Sequence, residues 1–133
     1  MKRRPYRDGA DVSRLQEFTA REIRDHGRAG MLHPGDIPHH IFNGLRRDDP
    51  HQLVHLWEDD TGEIVAWTLL DPRCLGHDPQ VARGMRSIAP DFEREVNVWS
   101  EEALLELLRE ACAEAEYIET DADEDDVIRT QLL

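Results

Sequence analysis

The stretch Phe92-Glu93-Arg94-Glu95-Val96-Asn97-Val98 decides how the fold is read, because it is a strand-like run. Only Trp99 and Ser100 separate it from an amphipathic run that opens at Glu101-Glu102. Leu104, Leu107, Leu108, Ala111, Cys112 and Ala115 fall on one face of that run, with Ser100 as its cap and the two glutamates at its positive end. A strand-to-helix junction is expected there. Such junctions hold phosphates where glycine lets backbone N–H groups approach closely, and this one has no glycine.

Working outward, Leu53 to Glu58 and Glu63 to Leu70 read as strands joined by the turn Asp59-Asp60-Thr61-Gly62, a hairpin. Residues 71–90 hold three prolines and two glycines without sustained periodicity and read as a flexible excursion. Toward the N-terminus, Arg3 to Arg7 predicts a short strand. Asp11 then caps a helix that buries Val12, Leu15, Phe18, Thr19 and Ile23. Gly27 and Gly30 end it. A second helix is expected through Ile37, Ile41, Phe42 and Leu45, capped by Asp36 with Pro38 in its first turn. Beyond the long helix, Tyr117 to Thr120 reads as a strand and Asp123 to Leu133 as a last short helix.

A chain of 133 residues is one domain's worth. Its apolar runs are too short to span a bilayer, and the basic Met1-Lys2-Arg3-Arg4-Pro5 is not followed by a signal peptide's apolar segment, so a cytoplasmic location is the expectation. Cys74 in a loop and Cys112 on a helix face make no disulfide framework. The 29 acidic residues against 16 basic ones give a net charge of −13, which repels polyphosphate backbones and argues against nucleic acid as a partner. The densest acid, Asp121, Asp123, Glu124, Asp125 and Asp126, lacks the glycine and downstream glutamate of a calcium loop and suits a solvated turn before a helix.

The order strand, two helices, hairpin, strand, helix, strand, helix resembles the GNAT (GCN5-related N-acetyltransferase) fold. Arg4 to Val12 opening the first helix, Leu56 to Trp67 forming the hairpin, Glu102-Ala103-Leu104-Leu105 opening the long helix and Thr120 to Leu133 carry the likeness. It implies a mixed α/β (α+β) domain over residues 1–133, with a mainly antiparallel sheet flanked by helices. Two departures are visible. The family's Arg/Gln-x-x-Gly-x-Gly/Ala loop, which grips the pyrophosphate of acetyl-CoA, is absent at Val98 to Glu102, where two carboxylates oppose an anion. The sequence also ends at Gln131-Leu132-Leu133 without the family's last strands.

These departures favour a degenerate half of a tandem GNAT protein, acting as a structural or interaction module, over an active acetyl-CoA-dependent enzyme with an atypical loop. The resemblance places any cofactor contact at Val96, Val98, Trp99 and Ser100. Glu93 and Glu95, on one strand face, are the candidate bases, and Tyr117 is the candidate acid. A second GNAT domain or a second copy meeting Leu132 and Leu133 is the expected partner. His33, His39, His40, His51 and His55 raise metal binding as a different class. No metal is assigned, since three or four ligands must converge and His51 and His55 have helical spacing in a segment read as loop and strand.

Overall fold

The computed structural model describes residues 1–44, 49–110 and 119–120. Strand β1 (Lys2–Pro5) leads to helix α1 (Gly9–His26), then a 3-10 turn (Pro34–Asp36) and a π-helical turn (His39–Gly44). The short helix α2 (Pro50–Leu53) precedes strands β2 (Val54–Glu58), β3 (Ile64–Asp71) and β4 (Gly76–Val81). Helices α3 (Met85–Ile88) and α4 (Phe92–Glu110) follow, and β5 (Glu119–Thr120) completes a sheet ordered β1-β2-β3-β4-β5. The first three pairings are antiparallel and the last is parallel.

The hairpin forms as its turn chemistry dictates. Asp59 accepts hydrogen bonds from the backbone N–H groups of Thr61 and Glu63, and Gly62 takes a positive φ of 86°. Leu56 stands opposite Trp67 and Trp57 opposite Ala66, so the two tryptophan-bearing strands are paired. Neighbouring Leu56 and Trp57 point to opposite faces and enter different cores. Leu15, Phe18, Ile41, Leu56 and Trp67 belong to the core under α1. Trp57, Val65, Val81, Phe92 and Val96 belong to the core under the first half of α4.

Phe92 to Val98 is not a strand. It is the first third of α4, whose buried positions Phe92, Val96, Ser100, Leu104 and Leu108 recur every four residues. Ser100 therefore sits inside the helix and does not cap it. The strand expected there is supplied by β4, from within residues 71–90, which form a strand and a helical turn. Asp8 caps α1, accepting from the Ala10 N–H, and Asp11 lies inside the helix. The second helix is replaced by the 3-10 and π-helical turns, and β2 starts at Val54 because Leu53 ends α2. Strand β1 ends at Pro5, short of Arg7. Tyr117, Cys112 and Asp123 to Leu133 lie outside the described residues, as does any contact through Leu132 and Leu133.

Candidate functional site at the β4–α4 junction

The true strand-to-helix junction spans residues 82–91, between Val81 and Phe92. The Ala82 N–H donates to the Val65 carbonyl at 2.9 Å, so the sheet ladder runs to the last residue before the chain leaves it. Gly84 follows, but its φ of −58° is ordinary right-handed helix, and an added Cβ would meet nothing within 4 Å. No feature of the backbone demands glycine there.

Two arginines of the junction are committed to the protein itself. The Arg83 backbone N–H donates to Glu22 Oε2 at 3.1 Å, and its guanidinium donates to the carbonyls of His26 and Ala29. A cation at the C-terminal end of α1 satisfies carbonyls that the helix cannot pair and complements its dipole. Arg86 makes a two-pronged ion pair with Glu93, Nε to Oε2 at 2.7 Å and Nη2 to Oε1 at 3.1 Å. Asp91, Glu93 and Glu95 surround the start of α4, and the Glu95 N–H is spent on the Asp91 carbonyl at 3.0 Å.

The residues named from sequence scatter once this helix is in place. Glu93 is buried against Arg86, whereas Glu95 is exposed, since residues two apart on a helix point to different sides. Val96 is buried in the core and Val98 is exposed. Trp99 is half-buried against Trp57 and His55. The Ser100 hydroxyl lies 2.8 Å from the Val96 carbonyl and 3.0 Å from the Thr68 hydroxyl, tying α4 to β3. Mid-helix N–H groups at these positions pair with carbonyls one turn back, so Val96, Val98, Trp99 and Ser100 present no phosphate cradle. Tyr117 lies outside the described residues.

The histidines likewise serve separate local tasks. His33 Nδ1 accepts from the Gly35 N–H at 3.0 Å, and the His51 ring meets Tyr6 with its Nδ1 on the Tyr6 carbonyl. His55 Nε2 donates to the Gln52 carbonyl at 2.8 Å while Nδ1 accepts from Arg3 at 3.0 Å, which fixes a neutral ring. Burial and the nearby Arg3 charge push its pKa down. Among the described residues, no three His, Cys, Asp or Glu side chains gather to hold a metal ion, and no helix is long and apolar enough to cross a membrane.

Sequence reading also missed an ionic cluster on the other sheet face. Arg4 forks onto Asp11 at 2.7 and 2.8 Å and reaches Glu58 at 2.9 Å. Arg14 meets the same glutamate at 2.8 Å, and the Arg7 N–H donates to Asp11 at 2.8 Å. Burial alone would raise the Asp11 pKa, but the bonds from Arg4 and Arg7 and the attraction of Arg4 and Arg14 hold it below the usual carboxylate range. Glu58 is lowered in the same way, against its own desolvation. The bond to Asp11 raises the Arg4 pKa, which desolvation alone would lower. Nothing in local spacing announces a cluster whose members lie up to 54 residues apart.

This layout, an antiparallel sheet with α1 and α4 on its two faces and a parallel last strand, is the GNAT fold. In particular, the chain is similar to the crystal structure of a GCN5-related N-acetyltransferase from Sphaerobacter thermophilus, with a TM-score of 0.72 and 17% sequence identity. The match covers 98% of this chain and 41% of that one, so the chain spans less than half the length of the protein it resembles. No family model matches the sequence, and no curated protein matches it.

Proposed function

We propose that this domain is the non-catalytic half of a larger GNAT acyltransferase, serving as a structural or interaction module beside a half that carries the chemistry. The occupancy of the α4 N-terminus carries this reading. An acyl-CoA pyrophosphate would need free N–H groups, glycine and positive charge there. From Ala89 to Glu95 there is no glycine, three carboxylates outnumber the single cation Arg94 at the entrance, and Arg86 just upstream is paired with Glu93. Gly84 and Arg83 lie further upstream, without the family's spacing, and Arg83 is bound to the end of α1. The length of the structural neighbour, more than twice that of this chain, supports a second unit.

Calorimetric titration of the chain with acetyl-CoA tests the proposal. No binding in the micromolar range is expected, and Asp91→Gly/Glu95→Gly, which removes repulsion and opens the backbone, is expected to strengthen any residual binding. Micromolar affinity in the unaltered chain, with acetyl transfer to an amine acceptor, would establish the active-enzyme reading instead.

A further inference from the structure

Helix α4 carries a second feature, on its outward face and independent of acyl-CoA. Asp91, Arg94, Glu95, Val98, Trp99 and Glu102 line a shallow depression of about 440 Å³. All six come from one stripe of the helix and its entry, as expected at 3.6 residues per turn. Val98 is 45% exposed at the centre of this stripe. A lone exposed valine needs no explanation, but here its neighbour is an aromatic ring that the fold has immobilised. The Arg3 guanidinium carbon lies 4.3 Å from the Trp99 ring centroid, and the rings of His55 and Trp57 lie 4.7 and 5.3 Å from it. A ring held on several sides loses little freedom when something docks against it. Around this apolar floor stand the three carboxylates of Asp91, Glu95 and Glu102 and the guanidinium of Arg94, with Arg3 over the Trp99 ring at its border.

We infer that the outward face of α4 docks a basic amphipathic helix of another protein, with an apolar side chain against Val98 and Trp99 and lysines or arginines over Asp91, Glu95 and Glu102. The net charge of −13 steers such a cation toward the domain. A second copy of this chain fits less well. Two α4 helices packed antiparallel about Val98 set Arg94 against Glu102 but Glu95 against Glu101, leave Asp91 without a cation, and bring two strongly acidic chains together.

The probe is a synthetic lysine–leucine amphipathic helical peptide, titrated into the intact chain by calorimetry with ¹H–¹⁵N NMR shifts as the map. A scrambled peptide of the same composition and a glutamate–leucine counterpart serve as controls. Shifts centred on Val98 and the Trp99 indole are expected. Binding should weaken about fivefold in Val98→Ser and about tenfold or more in Glu95→Lys/Glu102→Lys. All three positions lie on the outward face, and circular dichroism verifies that the variants fold. Equal affinity for the scrambled peptide, or equal weakening by the remote pair Glu17→Lys/Asp60→Lys, overturns the proposal as mere charge attraction. Shifts at Val98 that grow with protein concentration in the absence of peptide overturn it in favour of a second copy.

Discussion

Arg4 and Arg86 both place a guanidinium against a buried carboxylate, yet they hold the molecule together on different scales. Arg4 joins β1, α1 and β2 through Asp11 and Glu58. Arg86 joins the α3 turn to the start of α4, seven residues away. The first cluster shares two cations among two acids and a backbone N–H; the second has at its centre the pairing of Arg86 with Glu93. The difference predicts a global role for one and a local role for the other, because losing a partner leaves a buried charge uncompensated wherever its neighbours are tied.

The sharpest way to break this contrast is Arg4→Ala. It removes both prongs on Asp11, which is 3% exposed and keeps the Arg7 N–H and the more distant Arg14, and a loss of about 3 kcal/mol in urea unfolding is expected. A loss under about 1 kcal/mol would remove the cluster from the list of global supports. The acid limb of stability gives the next effect. Asp11 and Glu58 have folded pKa values below their unfolded ones, so their contribution is complete above roughly pH 4–4.5. It fades as pH falls through the lower folded values. Asp11→Asn should flatten that limb; an unchanged slope between neutral pH and pH 3 would show that other carboxylates set it.

Glu93→Gln tests the local member, with an expected loss of about 1–3 kcal/mol. Faster amide exchange should be confined to the α3 turn and the first turns of α4. Faster exchange reaching β1 and β2 would erase the distinction between the regions. The smallest change is Ser100→Ala, about 1 kcal/mol, from a Thr68 hydroxyl left without its neighbour. Because Ser100 is interior to α4, helix content should stay constant. Fraying that begins at residue 100 would restore it as a cap.

The hairpin was legible in the sequence because Asp59 and Gly62 carry their own turn chemistry. The start of α1 was legible to within one turn, because Asp8 and Asp11 both have the side chain of a cap and only Asp8 accepts from an N–H of the helix's first turn; Asp11 accepts from Arg7, before the helix. The junction was not. Over seven residues, Phe92, Arg94, Val96 and Val98 mimic strand alternation. The four-residue recurrence from Phe92 to Leu108 appears only in a longer window. Strand β4 is hidden by polar residues and by Pro79, which normally argues against a strand with neighbours on both sides. With Ala82 donating to β3, alternation turns the Pro79 nitrogen toward the other edge. There β5 pairs only with Gly76 and His77, so the missing N–H interrupts no described pairing. The misplaced junction carried the candidate site residues with it, and the glycine argument transfers to Ala89–Glu95 on different residues.

The pairing of β1 has a consequence for the order in which the molecule can be made. Lys2 aligns with Glu58 and Pro5 with His55, and among the described residues β1 has no other neighbour in the sheet. A chain emerging from the ribosome therefore carries its first strand unpaired until Glu58 has cleared the exit tunnel, while α1 can coil as soon as it is free. The early nascent chain is a helix trailing an open strand, and closing so long a loop costs more entropy than turning the local β2–β3 hairpin.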